Sequence, residues 1–371
     1  METVALIPAY EPDERLVDFA DRLHGEGFSR VIVVDDGSGE RFRPLFDALA
    51  ARSFCTVLRH EVNRGKGTAL KTGLTHIREQ LPSVRGVVTA DSDGQHDTAD
   101  CRRLAEALDE GRDALYLGSR DFSLPDVPFR SRFGNRWSMV TLGLLHGQWL
   151  PDSQTGLRAF PVSLIPFLLS VPGERFEYEM GVLLAAARRG LPMVPVMIRT
   201  IYENGNAGTH YRPLLDTLRI NRLVFADFFR FSGVSLLSFA LDQGLAWLFA
   251  IALAAAGVER HGMIWASGFA ARFLSAVFNF SMNRVVVFRA QGGVMASAWR
   301  YALLCVAVIV LSNAGVSGLA MLHVPRSVAK FVCDVLLYFA SFRIQSKFIF
   351  RPAPHPGGVM VFRRKRGGLE N

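Results

Sequence analysis

The hydrophobic and polar positions divide this chain into two halves. Up to about residue 225, short apolar β-branched runs alternate with stretches of helical period. Thr3–Ile7, Arg30–Val34, 56–59, Gly86–Ala90 and 114–118 read as strands, and Glu14–His24, 41–51, 68–79 and 100–110 as helices. Val194–Tyr202 reads as a last strand. Strands alternating with helices predict a parallel α/β sheet whose ligands lie at the carboxyl ends of the strands. From about 228 the pattern changes to four long apolar runs, near 231–256, 263–288, 301–322 and 328–350, each long enough to cross hydrocarbon. Short joins at Gly257–Gly262 and His323–Ser327 predict antiparallel hairpins.

The polar positions of the first half collect in the loops that follow strands. These are Pro8–Glu11, Asp35–Ser38, Asn63–Gly67, Asp91–His96 and Gly118–Asp121. After the strand at Gly86, the chain presents Asp91, Asp93 and Gln95, which share a face in extended backbone. Two carboxylates and an amide oxygen suit a hard cation, Mg²⁺ or Mn²⁺, that keeps positions for water and phosphate oxygens. A nucleotide diphosphate is the natural third party. The plainer reading is an Asp-Gly turn capping the helix near Asp100. Gly65-Lys66-Gly67-Thr68 lacks both the phosphate-loop spacing and the third glycine of a dinucleotide fingerprint, since Leu70 stands there. It remains a weak anion site at a helix start.

Composition narrows the classes. The 371 residues are 50% hydrophobic and 20% charged, too long for one ordinary domain and too apolar for a wholly soluble one. The net charge of +8 belongs to arginines beside the apolar runs and in the tail Arg363–Arg366, which favours a membrane surface and phosphates over nucleic acid. Cys55, Cys101, Cys305 and Cys333 are scattered, so neither a zinc site nor a disulfide framework is expected. METVALIPAY has no basic region leading into an apolar core, and no signal peptide is expected there. Beyond residue 118 the chain turns basic. Arg120, Arg130, Arg132 and Arg136 stand beside Phe129, Phe133, Trp137 and Met139, a composition suited to an anionic headgroup at a membrane.

IPAYEPDE, VVDDGS, NRGKGTALKTGL and ADSDGQH, in this order and spacing, resemble family 2 glycosyltransferases of the GT-A type. The likeness covers essentially 1–220 and is closest to polyprenol-phosphate glycosyltransferases such as dolichol-phosphate mannosyltransferase. It implies a GT-A nucleotide-diphospho-sugar transferase domain over 1–212 and inverting transfer of a hexose, from GDP-mannose or UDP-glucose, to polyprenyl or dolichyl phosphate. It also implies that Pro8, Tyr10, Glu11 and Asp36 hold base and ribose, that Lys66 lies near the nucleotide, and that Asp91, Asp93 and Gln95 hold the metal. Asp152, Gln154, Arg158 and Glu177 are implied near the donor sugar and diphosphate. Asp93, Arg120 and Arg132 are the implied catalytic set. Arg120 and one of Arg130, Arg132 and Arg136 grip the acceptor phosphate, and spacing leaves open which. Glu203–Tyr211 is a loop able to close over substrate. Rival readings keep the fold with another membrane glycan as acceptor, or make the soluble half regulatory to a translocation protein.

Residues 213–230 mix leucine and phenylalanine with Arg219, Arg222 and Arg230 and read as an interfacial helix. In the span region 231–351, Phe280-SMNRVVVF-Arg289 and Phe342-RIQSKFIF-Arg351 repeat at an offset of 62 residues, so two related hairpins are expected. The segment resembles the GtrA-like membrane family, associated with moving polyprenyl-linked sugars. Basic residues at 289–300 and in the tail 352–371 place both, with the catalytic domain and both termini, on the cytoplasmic side of a multi-pass cell-membrane protein. Arg272 is expected to pair with Asp242 or Asp334 inside the membrane. The expected partners are a nucleotide-diphosphate sugar, polyprenyl phosphate and the bilayer. Nucleic acid is not expected, and a homo-oligomer is left open.

Overall fold

The computed structural model describes residues 2–109, 113–124, 127–199, 213–290 and 292–350, and the chain forms two compact units. The expected loop 203–211 and the tail from 351 onward lie outside the described residues, as does the side chain of Arg130.

The first unit is α/β. Its strands are β1 (Thr3–Ala9), β2 (Arg30–Asp35), β3 (Cys55–Arg59), β4 (Gly86–Thr89), β5 (Leu115–Arg120), β6 (Arg158–Pro161) and β7 (Met193–Ile198). They form one seven-stranded sheet in the order β3-β2-β1-β4-β6-β5-β7. Its helices are α1 (Arg15–Gly25), α2 (Arg43–Ala50), α3 (Lys66–Gln80), α4 (Thr98–Asp109), α5 (Phe129–His146), α6 (Ile165–Ser170) and α7 (Glu177–Arg189). β1, the most central of the long strands, is buried along its whole length, as its unbroken apolar run requires. Phe19, Leu23, Phe28 and Phe46 pack against β1 and β2 to make the core.

The expectation of an all-parallel sheet needs correction. β6 is antiparallel to both β4 and β5, with Thr89 opposite Arg158 and Leu117 opposite Arg158. At four residues, RAFP, it is too short for a periodic signal and ends at Pro161. Its insertion fixes the site. Because β6 runs backwards, its first residue lies at the edge where β4 and β5 end, so the 152–157 loop arrives beside Asp91 and Arg120.

The second unit is helical. It contains most of α8 (Pro213–Ala255), with α9 (Arg260–Met282), α10 (Val294–Met321) and α11 (Arg326–Ile344). α8 is one 43-residue helix, about 65 Å at ~1.5 Å per residue, and covers both the expected interfacial segment and the first expected span. Among the described residues three helices are long and apolar enough to cross a membrane: Leu215–Ala255, Arg260–Val287 and Val294–Met321. The fourth expected span forms α11, but Lys330 and Asp334 interrupt its apolar character.

The repeat is visible in this unit. α9 and α11 each run into one π-helical turn, Asn283–Val287 and Gln345–Ile349, closed by the bonds Phe288 N–H to Asn283 O and Phe350 N–H to Gln345 O. Asn283 Nδ2 donates to Gln345 Oε1 at 3.2 Å, and Phe288 stacks on Phe350 at 5.4 Å between centroids. Residues 62 apart in the two hairpins therefore touch each other.

Candidate active site

The carboxyl edge of the sheet assembles the site from six loops. At the end of β2, Asp35 Oδ1 accepts the Ser38 N–H at 2.9 Å, and Ser38 Oγ accepts the Glu11 N–H at 2.9 Å. These bonds tie the β1 and β2 loops together and hold Glu11 at a φ of +47°, an uncommon backbone for a residue with a side chain. Pro8 is buried, Tyr10 half-buried and Glu11 exposed.

Asp36 is spent inside the protein. Its Oδ1 accepts the Arg64 N–H at 2.9 Å and lies 2.7 Å from His60 Nδ1, while Oδ2 accepts the Gly65 N–H at 2.7 Å. His60 Nε2 in turn reaches Thr72 Oγ1 at 2.9 Å. The carboxylate thus pins the start of α3 to β2. Gly37 fits beneath this loop because a Cβ there would collide with the Val62 backbone, and its φ of +76° suits only glycine.

The pinned loop aims Lys66 across the edge. Its Nζ lies 2.7 Å from Asp91 Oδ1 and 2.9 Å from Glu179 Oε2. Burial pushes the ammonium's pKa down, but the two carboxylates outweigh it and hold Lys66 above its ordinary range. Asp91 shows the reciprocal balance: burial raises it, while Lys66 and His96, 3.6 Å away, hold it well below the usual carboxylate range. Among the described residues Asp93 forms no ion pair, and Lys66 and His96 act on it only weakly. Burial first, and the Asp91 charge second, push its carboxyl above the usual range despite the Gln95 N–H at 3.1 Å. A cation is the simplest complement to that arrangement. Among the described residues no three His, Cys, Asp or Glu side chains converge as a metal cage. Asp91 and Asp93 are the residues here that could hold a hard cation, which would need further ligands from elsewhere.

Glu177 and Glu179 separate in role. Glu177 Oε1 accepts the N–H groups of Glu174 and Arg175 at 3.1 and 3.2 Å. Although burial raises its pKa, these bonds win and hold it low, so Glu177 ties down the loop that leads into α7. Glu179, two residues on and on the opposite side of α7, faces Lys66. Sequence reading had no signal to prefer it. His96 is also new: its ring is nearly buried with Nε2 3.6 Å from Asp91, and among the described residues neither nitrogen has a hydrogen-bond partner.

The loop before β6 supports Arg120. Asp152 is fully buried; its carboxylate takes Arg120 Nε at 2.7 Å and Nη2 at 3.2 Å, a bidentate clasp. Arg120 also lies over the Phe122 ring at 5.1 Å. Gln154 donates its N–H to Asp152 at 3.0 Å and leaves its side chain exposed. Arg158 is buried, giving Nε to Thr155 O and Nη1 to Glu179 O, with Nη2 unpartnered. Asp36, Asp152 and Arg158 thus stand behind the surface of the site. Gly156 packs against Asp91 so closely that a Cβ would strike the carboxylate.

α5 is anchored to the same loop by Asn135 Nδ2 to Pro151 O at 2.6 Å and by the Ser138–Ser153 hydroxyl pair at 2.7 Å. Its outer side exposes Phe129, Phe133 and Trp137 at four-residue spacing, with Phe129 78% exposed. Arg132 and Arg136 are exposed on the same helix, and Arg132 Nη2 donates to Leu124 O at 2.9 Å.

Residues 5–164 match the family model for glycosyl transferase family 2. An uncharacterized protein of Methanocaldococcus jannaschii is 31% identical over 206 residues, 54% of this chain and 82% of that protein. The chain belongs to glycosyl transferase family 2. It is accordingly a glycosyltransferase, and its mixed sheet is a GT-A fold. The dolichyl-phosphate N-acetylglucosaminyltransferase of Methanococcus voltae, named for UDP-N-acetylglucosamine, is 28% identical over 53% of this family 2 chain and 84% of its own. The polyprenol monophosphomannose synthase of Mycolicibacterium smegmatis is 28% identical over 53% and 76%.

Proposed function

We propose that this glycosyltransferase moves a hexose, from GDP-mannose or UDP-glucose, to a polyprenyl or dolichyl phosphate at the cytoplasmic face of a membrane, with inversion at the anomeric carbon. The observation that carries the reading is the Asp93 carboxyl, raised by burial and by the neighbouring Asp91 charge, on the sheet edge that also bears Arg120. Asp91, Asp93 and Gln95 would hold Mg²⁺ or Mn²⁺. When bound, such an ion supplies positive charge against the departing nucleoside diphosphate.

The chain's own residues do the remaining work. Pro8, Tyr10 and Glu11 border the base and ribose. Lys66, held between Asp91 and Glu179, is poised to exchange one carboxylate for a phosphate oxygen. Arg120, oriented by Asp152, seats the acceptor phosphate, with the exposed Arg132 and Arg136 of α5 as its further cationic rim. A phosphate monoester has a second pKa near ~6 and is largely a dianion at neutral pH, so positioning replaces a strong general base. The exposed Phe129–Phe133–Trp137 ridge suits a bilayer surface beside that rim. The relatives named for dolichyl- and polyprenol-phosphate transfer support the acceptor class. The reading takes the helical unit as four spans in two GtrA-like hairpins, with the catalytic domain and termini cytoplasmic, and three helices long and apolar enough to cross a membrane among the described residues support it.

A thermal-shift screen of nucleotide sugars tests this reading. One donor should raise the melting temperature only with Mg²⁺ or Mn²⁺ present, and Asp93→Asn should abolish that shift. No shift with any donor, with either ion, would overturn the reading.

A further inference from the structure

The cation held at Asp91 is the protein's own. Lys66 Nζ sits 2.7 Å from Asp91 Oδ1 and 2.9 Å from Glu179 Oε2, and lies over the Phe176 ring at 5.7 Å. At the other oxygen of Asp91, His96 Nε2 stands 3.6 Å away. Gly156 packs against the same carboxylate, so closely that a Cβ there would strike both oxygens. Asp91 therefore has no room to retreat toward Gly156, and each of its oxygens already has a cationic or polar neighbour. A divalent ion shared by Asp91 and Asp93 needs one of those oxygens, so a neighbour has to yield.

Lys66 can yield without being stranded. The start of α3 is locked to the loop before α7: the Thr68 N–H donates to Glu174 O at 2.9 Å, and a Cβ on Gly65 or Gly67 would strike Glu174 or Tyr178. That contact fixes the backbone of Lys66 relative to Glu179. Asp91 belongs to a different segment, the loop after β4. The lysine stem has four flexible carbons, and its ammonium carries three donors. Glu179 is only 12% exposed, and its carboxylate would be buried and unpaired if the ammonium left it altogether. The ammonium is thus free to give up Asp91 and bound to stay with Glu179, with a donor to spare for a phosphate oxygen.

We propose that Lys66 is the resident cation of Asp91, and that Glu179 is the positioning residue that keeps it when a divalent ion takes its place. An ion arriving alone has to displace an ammonium. An ion arriving with a nucleoside diphosphate gives that ammonium a phosphate oxygen in exchange. Ion and nucleoside diphosphate should therefore promote each other's binding through the protein by about 10-fold or more. The inference rests on Asp91 and Asp93 as the ion's ligands, and the test separates the two.

Mn²⁺ bound to the full-length protein is measured from the loss of the free ion's electron paramagnetic resonance signal, alone and with UDP or GDP. Protein-free solutions correct for ion held by the nucleotide itself. No bound Mn²⁺ in the parent or in either variant below, with or without nucleotide, defeats the ion reading itself. Lys66→Met should bind Mn²⁺ alone at least about 10-fold more tightly than the parent and gain little more from UDP or GDP. Glu179→Gln should do the reverse, binding Mn²⁺ alone about 10-fold more weakly and recovering most of the loss when the nucleotide is added. Circular dichroism identifies a variant that merely misfolds, and Glu179→Gln, which keeps the Lys66–Asp91 pair, carries the test if Lys66→Met does. A structure of the parent with Mn²⁺ and the better of the two nucleotides should show Lys66 Nζ on Glu179 and off Asp91. Bound Mn²⁺ with Nζ still on Asp91 overturns the proposal and leaves the ion reading standing. So does a folded Lys66→Met that binds Mn²⁺ alone no better than the parent, or a Glu179→Gln whose ion binding is unchanged.

Discussion

Asp93 is a carboxylate held at a cost. Its pKa is raised in the folded chain, so the ligand-free protein binds a proton there more readily than the unfolded chain does. That contribution to stability is complete below the unfolded value of about 4 and is lost as pH rises through the folded value. Asp93→Asn should therefore raise the melting temperature by a few degrees at pH 7 without added ion, and give no such gain near pH 4. The same substitution should lower sugar transfer by about 100-fold or more, on the scale of losing a group that stabilises developing charge. Lys66 behaves oppositely. Lys66→Met leaves the Asp91 and Glu179 carboxylates facing each other and should destabilise by about 3 kcal/mol, read from the shift in unfolding midpoint. Glu179→Gln should be milder, because Asp91 still compensates the ammonium.

At the scale of elements, the site depends on how closely loops meet. Gly156→Ala would push the Asp91 carboxylate off Lys66; transfer should fall at least 10-fold while far-ultraviolet circular dichroism stays unchanged. Gly37→Ala meets fixed backbone and a positive φ together, so it should lower the melting temperature as well as donor binding. Period and turn chemistry made β1 to β5 and the helices between them legible in the sequence, because each strand is an unbroken apolar run ended by polar loop residues. β6 was not legible: four residues carry no period, and its direction is set by pairing with β4 and β5. The alternation on which Asp91, Asp93 and Gln95 were read does not hold, because the chain turns at Ser92–Asp93 with Gly94 at a φ of +74° and the Gln95 N–H on Asp93 Oδ1. The assignment of Asp36, Asp152 and Arg158 to positions behind the surface could not be read, since motif spacing does not reveal which carboxylates are consumed by backbone N–H groups and guanidinium. Glu179 came to light only when α7 was brought beside Lys66, and His96 only when the turn of the β4 loop folded it back on Asp91.

At the scale of the molecule, a catalytic edge and a set of apolar helices share one chain. The exposed aromatic ridge of α5 and three helices long enough to cross a membrane suit an acceptor that is half lipid. Activity toward a long polyprenyl phosphate should therefore exceed that toward a water-soluble phosphate monoester by at least 10-fold in vesicles, and Phe133→Ser with Trp137→Ser should erase most of that difference without changing donor binding. The central claim is that an ion-dependent carboxylate pair drives transfer to a lipid phosphate. Its most direct measurement is turnover of the full-length protein with a short polyprenyl phosphate, a panel of nucleotide sugars and Mg²⁺ or Mn²⁺, following both the released nucleoside diphosphate and the glycolipid. Equal amounts of the two products, abolished by chelator and restored by added ion, are predicted. Folded protein that releases neither product from any donor, or that forms the glycolipid undiminished in chelator, would contradict the account.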